Sequence, residues 1–167
     1  MLKKQLLLLL TVLCCLSCCY YDEDEAIDIT VMPPATTVGA ETFGCLIDGW
    51  LYVGGRYYYV PYLPSSELPD TSIKFEYDKT AKEMNAAVMV KAGIYIRFTI
   101  VAPQEGAKPV DFINARFGEE KLKDGKVIVA RFDEERNIIS GTFEGGRMEH
   151  GCFDVHYKEV ERPKEQP

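Results

Sequence analysis

The sequence predicts an all-β domain: a single antiparallel β-sandwich or partly open barrel of about eight or nine short strands. Three observations predict it. Stretches of apolar/polar alternation recur along the body, as in Ile73, Phe75 and Tyr77 against Lys74, Glu76 and Asp78, the pattern of a strand with one wet face. Turn-forming pairs such as Asp48-Gly49 and Gly145-Gly146 separate these stretches. No stretch sustains the period of a long helix, and there is neither an internal repeat nor βαβ alternation.

Taken in order, the domain opens with Thr42 to Asp48, which places Phe43, Cys45 and Ile47 on one face. Asp48-Gly49 suits a tight turn. Trp50 to Val53 and Arg56 to Val60 read as strands broken by Gly54-Gly55, and Pro61, Pro64 and Pro69 then punctuate a loop. Ser72 to Asp78 is the cleanest alternating strand. Thr80 to Ala87 (TAKEMNAA) is the one place where helix-favouring residues predict a helical turn. Ala86 to Lys91 follows as a strand. Ile94 to Ala102, dense in β-branched and aromatic residues, is the strongest strand signal. Pro103 to Pro109 forms a loop, Val110 to Phe117 a short strand and Lys121 to Gly125 a polar turn. Lys126 to Phe132, Ile138 to Glu144 and Cys152 to Lys158 close the domain, and the charged tail from Val160 frays.

Composition excludes some roles. The formal net charge is −7. An acidic domain is poorly suited to nucleic acid, whose phosphates call for Lys and Arg. There is no G-x-S-x-G elbow, no H-E-x-x-H and no phosphate-binding loop. The sequence is therefore read as non-enzymatic, with no cofactor. His150 and His156, with Glu149 and Asp154 nearby, do not show the spacing of convergent metal ligands. His156 and Asp154 are expected on the polar face of a strand, as surface residues.

The N-terminus carries most of the information on location. Lys3 and Lys4 precede the apolar run Leu6 to Leu16, and Leu16-Ser17-Cys18-Cys19 follows. The run is short for a membrane span, which takes about 20 apolar residues, and its flanks suit a signal peptide. Its ending resembles a bacterial lipoprotein signal, in which the cysteine thiol is lipidated and becomes the first residue after cleavage. Cys18, directly preceded by the small Ser17, is the favoured attachment site, and Cys19 is the alternative. Asp22 to Glu25 is an acidic run that resembles the surface-export signal of Bacteroidetes-type lipoproteins, and it also suits a solvated tether. Met32-Pro33-Pro34-Ala35 continues as extended linker. The expected organisation is a signal peptide over 1–17, a lipidated and acidic linker over 18–41, a β-domain over 42–160 and a tail over 161–167.

Six cysteines are present, and only Cys45 and Cys152 lie in the domain body. In an oxidising compartment they form a candidate disulfide, which in the loop-entropy description stabilises by about 4–5 kcal/mol. The alternative is two buried thiols acting as small hydrophobes. Alternation puts Cys45 in phase with Phe43 and Ile47 but Cys152 out of phase with Phe153 and Val155, so a bridge requires a bulge near Gly151.

Thr42, Phe43, Cys45 and Gly49 at the start, Ser140 to Phe143, and Phe153, Asp154, Val155 and Tyr157 at the end together resemble small outer-membrane or surface lipoproteins of unknown function from Bacteroidetes. The resemblance implies an anchored β-domain and no particular activity. The densest aromatic cluster, Tyr57, Tyr59 and Tyr62 with Trp50, is the candidate ligand-facing surface, because tyrosine offers flat area and a hydroxyl to a glycan or protein. The functional expectation is a lipid-anchored module at the outer membrane of a Gram-negative bacterium, exposed on the surface. It would hold the membrane by its lipid and bind a glycan or a protein. The alternative is a structural or envelope-assembly lipoprotein; a hydrolase is the least favoured reading.

Overall fold

The computed structural model describes residues 32–55 and 73–161. The described residues form eleven strands: β1 (Thr42–Ile47), β2 (Trp50–Gly55), β3 (Ile73–Asp78), β4 (Glu83–Lys91), β5 (Ile94–Val101), β6 (Val110–Phe117), β7 (Glu120–Lys121), β8 (Gly125–Asp133), β9 (Ile138–Gly145), β10 (Met148–His156) and β11 (Lys158–Val160). Among the described residues there is no helix. The strands make one sheet in the order β11-β3-β4-β5-β6-β8-β9-β10-β1-β2, with β7 beside β6. The sheet curls strongly into a partly open barrel.

The curl follows from connectivity. Only Tyr157 separates β10 from β11, yet β11 pairs with β3 and β10 pairs with β1 and β9. One nearly continuous stretch of chain thus touches both limbs of the sheet, which brings β3 alongside β10. The β11–β3 pair is parallel, with Lys158 opposite Glu76 and Val160 opposite Asp78, so the sheet is mixed rather than wholly antiparallel.

Alternation decides which side chains enter the barrel. Phe43, Phe75, Phe98, Phe112, Phe143 and Phe153 are each at most 2% exposed and fill the interior. Phe143 lies 5.5 Å from Phe43 and 5.3 Å from Phe98, and Phe75 lies 5.3 Å from Phe153, between ring centroids. Such offset and tilted contacts add to the burial of large apolar area. The β1–β2 hairpin turns on Asp48 and Gly49, both with positive φ (54° and 82°), as a primed turn requires.

Four expectations are corrected. The helical turn over Thr80 to Ala87 does not form: Glu83 onward is β4, where Met84, Ala86, Val88 and Val90 are buried and their neighbours are more open. Helix propensity is a weak prior, and the two-residue burial period overrides it. The polar turn at Lys121 is instead the short strand β7, opposite Arg116 and Phe117. The strand expected from Cys152 begins at Met148, with an irregularity between Met148 and Gly151 where His150 adopts φ 50°. Val160, expected at the start of the frayed tail, instead ends β11, whose residues Lys158 to Val160 pair with β3. The readings of Arg56 to Val60 and of the proline loop lie outside the described residues.

Candidate functional site

The outer face of β1 and β10 carries a strap, residues 32–41, which the sequence presents as linker. The strap is extended, but it is seated on the domain by a buried acid. Antiparallel register places Thr42 opposite Asp154 and Gly44 opposite Cys152, so Gly44, Cys152 and Asp154 share the outer face while Phe43 and Phe153 point inward. Asp154 is 1% exposed. Its carboxylate accepts hydrogen bonds from Thr36 Oγ1 at 2.5 Å and from the amides of Val38 (3.0 Å), Gly39 (2.8 Å) and Ala40 (3.1 Å). Burial alone would raise the carboxyl pKa, but these four donors together outweigh it and hold it below the ordinary carboxylate range.

Neighbouring contacts complete the seat. A Cβ on Gly44 would come within 2.5 Å of Pro33 Cδ, so only glycine lets the strap cross β1 at this distance. The Cys152 thiol donates to the Pro33 carbonyl at 3.4 Å. Glu41 accepts from the His156 amide at 3.0 Å and meets His156 Nδ1 at 2.6 Å. Arg131 donates to the Thr37 carbonyl at 2.6 Å and pairs with Asp133 at 2.5 Å. Asp133 is held below the carboxylate range first by the Arg136 amide and then by Arg131. Asp154 is thus a buried anchor rather than the surface residue expected from alternation; it does lie on the outer face, and the strap covers it.

Cys45 and Cys152 are both free and buried. Of the two states the sequence left open, the structure has the free thiols, which occupy opposite faces of the sheet: Cys45 belongs to the core with Phe43 and Ile47, and Cys152 lies under the strap. The chain is irregular on both sides of the β1–β10 pair, yet Cys152 stays opposite Gly44. Burial raises both thiol pKa values; proximity to Cys152 adds to the shift at Cys45, and a backbone hydrogen bond at Gly44 partly offsets it at Cys152.

Two of the depressions on the surface of the described residues lie against outer strand faces. One, of about 600 Å³, lies between the strap at Pro33 and Ala35 and the outer faces of β8 to β10. Lys126 opposite Glu144 and Ile128 opposite Thr142 form its rungs, and Ile128 is 42% exposed. The other, of about 320 Å³, lies across β3 to β6 around Asn85, Thr99 and Asn114. Thr99 Oγ1 donates to Asn85 Oδ1 at 2.9 Å, which leaves the buried Asn85 Nδ2 with no partner among the described residues.

Of the aromatic cluster, Trp50 stands 52% exposed at the start of β2, an edge strand of the sheet. Tyr57, Tyr59 and Tyr62, like Cys18 and Cys19, lie outside the described residues. Tyr52 packs edge-on against Phe117 at 4.9 Å. Among the described residues no group of three metal-ligating side chains converges. Sequence reasoning missed the docking of the strap over residues 32–41 and both of these depressions. The one available signal was an acid, Asp154, set between Phe153 and Val155 in the closing strand. Comparison with known protein families, curated proteins and solved structures finds no match.

Proposed function

We propose that this chain is a lipid-anchored, extracytoplasmic β-domain at the outer membrane, displayed on the surface as a non-enzymatic binding module. The lipoprotein-like ending at Cys18, with Cys19 as the alternative, and the acidic run after it support the anchoring. The observation that carries the binding reading is the filled interior. Six phenylalanines occupy the barrel, which among the described residues leaves the outer faces of the strands to a ligand, and the two depressions described above lie there. Ligand sites are typically concave, with a few placed polar groups, which suits both. The test is a glycan array probed with the full-length chain in detergent. Saturable binding to a defined glycan class is expected. No saturable signal, with stable co-purification in an outer-membrane complex, would replace this reading by the envelope-assembly alternative.

A further inference from the structure

Cross-strand register aligns basic side chains in a row over the outer face. Lys74 of β3 stands opposite Ala87 of β4, Ala87 opposite Arg97 of β5, Arg97 opposite Arg116 of β6, and Arg116 opposite Lys121 of β7. Residues directly opposite in an antiparallel pair share a face. All four cations are exposed, while their neighbours Phe75, Ala86, Ile96 and Ala115 are buried. With strands about 4.8 Å apart, the row runs about 19 Å.

Two of these pairs set like charge against like charge, which destabilises a sheet. Little offsets it. Lys74 pairs with Glu76 at 2.6 Å, and the Arg97 guanidinium lies 4.9 Å from the Tyr95 ring centroid. Among the described residues, no carboxylate forms an ion pair with Arg97, Arg116 or Lys121. This concentration of positive charge stands in a chain of net charge −7.

The second depression borders the row. Besides Lys74, Arg97 and Arg116 of the row and the carboxylate Glu76, which pairs with Lys74, its polar groups are Asn85, with its unpartnered buried amide nitrogen, Thr99 and Asn114. Asn114 sits at a register shift between β5 and β6, with φ 58°. A bulge of this kind re-aims a side chain, and here it adds an amide beside Arg97 and Arg116.

We infer that this row and its depression bind an anionic polysaccharide, a glycan carrying sulfate or carboxylate groups. Guanidinium forks match both anions. The neighbouring amides and hydroxyl suit sugar hydroxyls. The strand spacing is comparable to the length of one sugar unit, so a chain with one anion per sugar meets a cation at each rung except Ala87 of β4. The acidic remainder of the domain disfavours nucleic acid, whose charge is far denser. This inference rests on the binding-module reading and names its ligand class and site.

The test uses the full-length chain in detergent on immobilised heparin, polygalacturonate, neutral dextran and duplex DNA. Retention on at least one of the two anionic polysaccharides, reversed by salt, is expected, with none on dextran. The double variant R97Q/R116Q loses affinity by about tenfold, as two lost charge-assisted contacts imply. A control pair of equal charge change outside the row, K123Q/R136Q, stays within about twofold. The row variant melts no lower than the unaltered chain, since like-charge opposition is relieved. Equal losses in both double variants, or retention on neither polysaccharide, overturn the inference, and tighter binding to DNA overturns the ligand class. If array binding is unchanged in R97Q/R116Q and lost in Ile128→Asp, the strap groove is the site, so this inference fails while the binding-module reading stands.

Discussion

Replacing Asp154 by alanine should release the strap. The carboxylate accepts four hydrogen bonds from residues 36–40, at 2.5 to 3.1 Å. A hydrogen bond to a charged group contributes about 1.5–3 kcal/mol, so the simple sum is large. That sum is not the cost, because the strap can lift away and rehydrate its donors. The loss is capped by the free energy of docking the strap, and Asp154→Ala should cost about 3 kcal/mol, the range of a broken buried polar network. Asp154→Asn keeps one acceptor oxygen but sets an amide donor against donors, and should cost about half as much. Urea unfolding of the full-length chain at pH 7 gives the first readout. The second is hydrogen exchange at the amides of Val38, Gly39 and Ala40, which should lose protection before the core strands open. The effect also has a pH signature. The folded carboxyl titrates below its ordinary value of 3.8, so its stabilisation is fully present above that value and is lost as pH falls below it toward the folded pKa. Unfolding within about 0.5 kcal/mol of the unaltered chain, with those amides still protected, would refute this account of the seat.

Further outcomes follow from the core and its borders. Phe143→Ala should cost about 3–5 kcal/mol in the same urea assay, since Phe143 is 2% exposed and its ring meets four other phenylalanine rings. Mass mapping under non-reducing conditions should find Cys45 and Cys152 unlinked, and both should react with a thiol reagent only after unfolding, because both are buried and their pKa values raised. Tyr157 is pushed up to about 12 by burial, with Glu134 next in effect. The unfolded chain therefore loses this proton first, and stability should fall as pH rises from about 10 to about 12, as ultraviolet-monitored titration and melting can show.

Much of the barrel was legible because its strands carry their own pattern. Ile73 to Asp78 alternates in sequence, and Phe75 and Tyr77 are buried in that phase, as are Ile96, Phe98 and Ile100 of β5. Phase also held at the cysteines: the sequence put Cys45 and Cys152 on opposite faces, and the sheet leaves them there. Strands β7 and β11, with two and three residues, have no pattern of their own to display; their partners β6 and β3 define them. The start of β4 hid behind Lys82, Glu83 and Met84, good helix formers in isolation. The strap was illegible for a different reason. Residues 32–41 show no periodicity, and they are held by backbone amides given to one distant carboxylate. The basic row was equally hidden, since Lys74, Arg97, Arg116 and Lys121 are brought together only by register across five strands.

The central claim is that the domain is a display module held to a membrane by lipid, and palmitate labelling tests it most directly. Expressed in a Gram-negative host, the full-length chain should incorporate radiolabelled palmitate, and Cys18→Ala should abolish it. Retention in Cys18→Ala with loss in Cys19→Ala would move the attachment by one residue and leave the account intact. No incorporation into the unaltered chain would contradict it.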